Sequence, residues 1–285
     1  MPTLHILGNL LLICLAVLLG WSLSRRKKTA LVGIGLSGVV GLASLILAIR
    51  PGWAVTVMPF DDLTFYDNIY PLAFGLFFPC VWHFVDTSAR RVRMALWCAL
   101  LLGLTLVPFR YNAAAMATSG GTFIDQDGVC IQSYDYNCSA ASVVTLLRHY
   151  GVECTEAEAI ALAGTKDGKG TEALGLYRAL RHYESQARAD VIIQHGSADA
   201  LLNSTGPAII LVGLPNRGRP PEAAAYGRLN NWPPGFFHDV VYLGLDPDDP
   251  NYVRIADPDV GMERWRVTDI HFLYRGQAVR YRASE

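Results

Sequence analysis

Two long apolar stretches near the start of the chain constrain it most. Leu4–Leu23 and Thr29–Ile49 are each close to the roughly 20 apolar residues that an α-helix needs to cross a hydrocarbon core. Tyr70–Val85 and Met94–Phe109 also lack charged residues but are shorter, and Pro71 and Pro79 interrupt the first of these. The pattern predicts an N-terminal α-helical transmembrane bundle of about four helices over residues 1–109, with two helices as the reduced alternative. A cleaved signal peptide is the other reading of the first stretch. No Lys or Arg precedes it and Arg25, Arg26, Lys27 and Lys28 follow it, an order that favours a retained anchor with its N-terminus outside.

Charge divides the chain at the same place. Residues 1–109 carry a net charge of +4 and the remainder −5, within an overall −1. Basic residues keep short loops on the cytoplasmic side, so the loop with Arg25–Lys28 and the one with Arg90, Arg91 and Arg93 are expected there. Residues 50–69, with Asp61, Asp62 and Asp67 against Arg50 alone, are expected outside. Four crossings then predict an integral protein of a bacterial inner (cytoplasmic) membrane whose C-terminal domain is extracytoplasmic. Its expected partners are the lipid bilayer and other membrane proteins. Net charge near zero argues against nucleic acid.

Residues 110–127 (RYNAAAMATSGGTFIDQD) are small, polar and aperiodic and read as a linker. Over 128–285, apolar periodicity predicts helices at Ser139–Tyr150, Thr155–Ala163 and Thr171–Tyr183. Strand-like runs follow at Asp190–Gln194, Pro207–Gly213, His238–Leu245, Tyr252–Ala256 and Gln277–Tyr281. Helices first and strands afterwards predict an α+β domain with an antiparallel sheet. The loop GTKDGKG has a spacing unlike that of a phosphate-binding loop and no strand before it, so it reads as a surface loop.

The chemistry gathers in residues 128–151, GVCIQSYDYNCSAASVVTLLRHYG. Cys138 opens a helix with Asn137 as its expected N-cap, where unsatisfied N–H groups and the helix dipole favour a thiolate. A lone cysteine is more often a small buried hydrophobe. Gln132, six residues upstream, supplies a side-chain amide that can face the oxyanion of a tetrahedral intermediate. A base is then needed. His238 opens one strand and Asp257 closes the next, with the turn-forming residues PDDP between them. If Leu245 pairs near Pro250, His238 falls directly opposite Asp257 on the same sheet face. The carboxylate could then hold one imidazole nitrogen and leave the other for the thiol. Trp232, Pro233, Pro234, Phe236 and Phe237 precede the base as a candidate substrate wall. His149 and His182, on expected helices with mostly polar neighbours, read as surface or satisfied side chains; for His195 and His271 a metal site is not expected, and Cys14, Cys80 and Cys98 read as packing.

The order QSxxxxC, then AAxxxxLLRHYG, then a strand opening with His and a later ADP resembles the bacteriocin-processing cysteine peptidases that cleave after double-glycine leaders. The resemblance covers about residues 128–275. It implies a papain-like fold, Cys138 as nucleophile, His238 as general base and acid, Asp257 as the residue orienting His238, and Gln132 as oxyanion donor, with no metal or organic cofactor. Ser139 stands where that family often has Gly, and familiar members carry the peptidase ahead of an ATP-driven exporter. The sequence reading is therefore a membrane-anchored cysteine peptidase acting on a peptide or exported protein. A non-enzymatic peptide-binding module and a cysteine acyltransferase are the alternatives. In an oxidising compartment Cys130 and Cys154 are expected to pair, leaving Cys138 free; three free thiols is the other outcome.

Overall fold

The computed structural model describes residues 14–49, 69–82, 115–217 and 220–283, with residues 84, 87, 88, 91 and 92. The chain divides into two compact units, Met1–Ala113 and Ala114–Glu285.

In the first unit residues 14–23 are helical, followed by α1 (Lys27–Ile49) and α2 (Ile69–Trp82). The helices approach closely where side chains are smallest. A Cβ on Gly20 would lie 2.8 Å from the Leu76 carbonyl oxygen, and one on Gly33 would collide with the Cys80 sulfur. The Cys80 thiol donates to the Gly20 carbonyl at 3.4 Å.

The expected transmembrane bundle is not what this unit provides. Among the described residues, no helix is long and apolar enough to cross a membrane. The described part of the third expected span is α2, 14 residues or about 21 Å at 1.5 Å per residue, against a hydrocarbon core of about 30 Å. α1 is longer, at 23 residues, and opens on Lys27 and Lys28. Met94–Phe109 lies outside the described residues. The integral-membrane location, the extracytoplasmic placement and the lipid bilayer as partner all depended on those crossings and fall with them.

The second unit is α+β. Two short strands, β1 (Phe123–Ile124) and β2 (Cys130–Ile131), pair antiparallel ahead of α3 (Cys138–His149), α4 (Glu156–Ala163), α5 (Ala173–Arg181) and α6 (Glu184–Ala187). Then come β3 (Ala189–His195), α7 (Ala198–Leu202), β4 (Ala208–Gly213), α8 (Pro221–Leu229), β5 (Phe237–Leu245), β6 (Tyr252–Asp257), β7 (Gly261–Arg266), α9 (Val267–Leu273) and β8 (Tyr274–Ala283). Six strands form one antiparallel sheet in the order β3-β8-β4-β5-β6-β7. The three long helices and five strand runs expected from periodicity are present. β7 and the short helices α7, α8 and α9 had no apolar period long enough to announce them.

Local chemistry explains the helix limits. A full capping box, Thr155 with Glu158, starts α4, and Gly164 at φ 70° ends it, a left-handed position that favours glycine. α3 buries Val143, Val144, Leu146 and Leu147 against the sheet. On the opposite sheet face Ile210, Val212, Val240, Tyr242 and Ile255 form a core with Ile270 and Leu273 of α9. β5 is therefore covered on both faces, and its sequence lacks polar alternation for that reason.

The β5–β6 pairing departs from the sequence register. Leu245 pairs with Val253, not with a residue near Pro250, and a bulge lies between Tyr242 and Gly244. Beyond it Tyr242 pairs with Ile255 and Val241 with Ala256. Leu243 is the extra residue on β5. Part of the segment read as a linker is built into this unit as well, with Ala117 donating its N–H to the Thr165 carbonyl.

Candidate active site

α3 and β5 bring the candidate residues together. Cys138 is the first residue of α3 and His238 the second of β5. Continued past the bulge, the pairing places Asp257 diagonal to His238 on the same face, within side-chain reach. The distance bears this out: His238 Nε2 lies 2.8 Å from Asp257 Oδ1. With Nε2 so engaged, Nδ1 is the nitrogen left for a second partner, and Cys138 is near enough to raise the ring's pKa. Asp259, level with His238 in that register, lies 3.8 Å from Nε2, and its main-chain N–H donates to Asp257 Oδ1 at 2.8 Å.

The ring is almost fully buried. Burial alone would lower its pKa, but the hydrogen bonds and charges of Asp257 and Cys138 outweigh that and push it up to about 11. The native state thus binds the His238 proton more tightly than the unfolded chain does. The resulting stabilisation is complete below the unfolded value of 6.5 and is lost as pH rises through about 11. Unfolding free energy should fall across that window by up to about 1.4 kcal/mol per pH unit from this group. Urea unfolding of the wild type and His238→Ala at pH 9 and pH 10.5, above the range in which an unfolded thiol holds its proton, checks this. The stability gap should narrow at pH 10.5, and an unchanged gap would contradict the assignment.

Gln132 is fixed from both sides. The Cys130 N–H donates to Thr145 Oγ1 on α3 at 2.9 Å, and the Ser133 N–H donates to Glu156 Oε1 at 2.9 Å. Gln132 itself donates its main-chain N–H to the Pro258 carbonyl at 2.9 Å, tying the loop before α3 to the turn after Asp257. Its Oε1 is buried and has no hydrogen-bond partner.

Asn137 does not cap α3 as expected. Its side chain makes no capping bond; the amide donates instead to the Thr118 carbonyl at 3.0 Å and to Ser133 Oγ at 3.1 Å. Glu156, fully buried, accepts from the hydroxyls of Ser119 and Ser133 as well as from the Ser133 N–H. This carboxylate organises the loop that carries Gln132.

The other thiols differ from Cys138 in setting. Cys130, Cys138 and Cys154 are all free, so the expected Cys130–Cys154 disulfide is absent. Cys130 is buried beside Thr145, while Cys154 accepts from the Tyr183 hydroxyl at 3.4 Å. Burial, then the Glu156 charge, pushes the Cys130 thiol up to about 12, and burial also raises Cys154.

An open groove of about 1350 Å³ borders the His238–Asp257 pair, walled by Trp232, Phe236, Val260 and Trp265. Trp232 stands edge-on to both His238 and Trp265, at 6.3 and 6.0 Å between ring centres. His238, Asp257 and Asp259 place three potential ligand atoms close together, but the first two are already engaged with each other.

Sequence reading also missed Asp239. The charged residue inside the apolar run FHDVVYLGL was the available signal, because a buried charge needs partners.

No protein-family model matches the chain. Two uncharacterised proteins match over 55 residues, one from Methanothermobacter thermautotrophicus at 46% identity and one from Methanothermobacter marburgensis at 44%. That segment is 19% of this chain and spans 38% of the length of each relative. Among solved structures, the peptidase domain of Streptococcus ComA, a bifunctional ABC transporter of a quorum-sensing pathway, is 20% identical with a TM-score of 0.40. The match covers 54% of this chain and 96% of that one. A double-glycine-motif protease from an AMS/PCAT transporter, solved with its leader peptide, is 19% identical with a TM-score of 0.39, over 58% and 95% of the two chains.

Proposed function

We propose that the chain is a cysteine peptidase in which Cys138, His238 and Asp257 form the catalytic triad and Gln132 is an oxyanion donor. The observation that carries this reading is the buried His238–Asp257 pair at 2.8 Å, with Cys138 at the start of α3 near enough to raise the ring's pKa. In the proposed resting state the imidazolium faces a Cys138 thiolate. The sulfur attacks the carbonyl carbon of a peptide bond. The oxyanion so formed meets the N–H groups at the start of α3, which no helical carbonyl occupies, together with the Gln132 amide. His238 gives its proton to the departing amine as the C–N bond breaks and a thioester remains. The ring then takes a proton from water, whose oxygen attacks the thioester and releases the acid and the Cys138 sulfur. The groove beside Trp232 and Phe236 supplies an apolar wall for a peptide or protein substrate.

The test uses a thiol-directed peptidyl chloromethyl ketone at neutral pH and mass spectrometry of the full chain. A single adduct should appear on Cys138, with Cys130 and Cys154 unmodified, and none should form in Cys138→Ala. An adduct on Cys154 in preference to Cys138 would overturn the assignment.

A further inference from the structure

Asp239 follows His238 on β5 and points to the opposite sheet face, onto α3. It is 5% exposed. Its Oδ2 accepts the Ser139 hydroxyl at 2.5 Å, and its main-chain carbonyl accepts the Ser142 hydroxyl at 3.0 Å. Both bonds run from α3 to β5. The residue after the proposed nucleophile is thereby joined to the residue after the proposed base.

A buried carboxylate is an expensive way to hold a helix on a sheet. An apolar side chain of similar volume in such a position is often as stable or more so, and the neighbouring positions Val240 and Val241 are filled in that way. What an apolar residue lacks is direction. A short charge-assisted hydrogen bond fixes the rotation and the height of α3's first turn relative to β5, and Cys138 and His238 are each one peptide away from its two ends. Cys138 Sγ lies 3.9 Å from Ser139 Oγ, so a shift of the serine is felt at the sulfur.

We propose that the Asp239–Ser139 contact is a clamp that sets Cys138 against His238, with Asp239 a positioning residue that makes no bond to substrate. This rests on the peptidase reading above. When ionised, Asp239 accepts from Ser139 as a full anion and favours the imidazolium form of His238; when protonated, it loses both effects. Burial raises its pKa to about 6, against the lowering by the Ser139 hydrogen bond and the His238 charge. The charged group acting on it is His238 on its own strand; Cys138 precedes Ser139 on α3, and Asp257 and Asp259 lie on the His238 side of the sheet, at and just beyond the end of β6. β4 presents the apolar Leu211 as its register partner.

The experiment measures the rate of Cys138 alkylation by iodoacetamide between pH 4.5 and 8.5 in the full chain, site by site by mass spectrometry. Thermal unfolding of each variant is followed in parallel. In the wild type, Cys138 should react faster than Cys154, with an inflection near pH 6. Asp239→Asn keeps an acceptor for Ser139 but cannot ionise; it should lose that inflection and react about tenfold more slowly at pH 7. Ser139→Ala should be slowed to a similar degree, and Ser139→Thr should recover most of the rate. A fast Cys138 whose profile is the same in wild type, Asp239→Asn and Ser139→Ala would overturn the clamp while leaving the peptidase reading intact. A wild-type Cys138 no faster than Cys154 would overturn both.

Discussion

Replacing His238 with alanine is expected to slow alkylation of Cys138 at pH 6.5 about 100-fold and to abolish peptide hydrolysis. The size is the low end of what a positioned imidazole contributes at a nucleophile, about 10²-fold. The ring carries its proton through neutral pH because Asp257 and Cys138 together outweigh the cost of burial. Removing it withdraws the cation proposed to face the Cys138 sulfur. Asp257→Asn should be milder, since an amide still accepts from the ring nitrogen but no longer supplies charge. Rates at Cys138 are read by mass spectrometry of tryptic peptides, with Cys154 as internal control. An unchanged rate at Cys138 in His238→Ala would mean that the sulfur owes its state to something other than the ring.

Gln132→Ala should lower kcat by about 10²–10³, the usual scale for one oxyanion donor, with KM nearly unchanged. The substrate for this measurement is a fluorogenic peptide selected from a random-sequence library with the wild-type chain. Stability should scarcely move. The Gln132 Oε1 is buried without a partner, so truncation strands no donor that relied on that oxygen, and the bond to Pro258 is a main-chain one. The split between rate and stability separates a transition-state role from loop packing. A raised KM at constant kcat would assign Gln132 to substrate binding, and a matching loss of stability would make it structural; either result removes it from the oxyanion site.

The parts of this molecule legible in its sequence were those with a period. α3, α4 and α5 present apolar residues at helical spacing, and the strands appear as short apolar runs between turn formers. The candidate site was legible because each residue sits at an element boundary: Cys138 at a helix start, His238 near a strand start, Asp257 at a strand end. What failed depended on information that has no period. The hairpin loop could not reveal where Leu245 pairs, because the ladder skips to Val253. Asn137 looks like a cap by type, yet its amide is drawn to Thr118 and Ser133, partners far away or hidden in a turn. The apolar N-terminal stretches met the length rule for a span in sequence. Among the described residues, however, no helix is both long and apolar enough to cross a membrane.

The bulge at Leu243 gives β5 a parity. Before it, towards the hairpin loop, partner numbers in β5 and β6 sum to 498; after it, towards His238, they sum to 497. Only an odd sum sets His238 and Asp257 on one face, because side chains alternate along each strand. With a straight ladder the acid would look into one side of the sheet and the imidazole into the other. Residues added to or lost from the connecting loop leave this untouched, since the ladder is indifferent to what closes it. Removing one residue between Tyr242 and Gly244 would invert it. The two strands therefore tolerate length changes very unevenly, and the site's continuity depends on counting in a place where no catalytic atom lies.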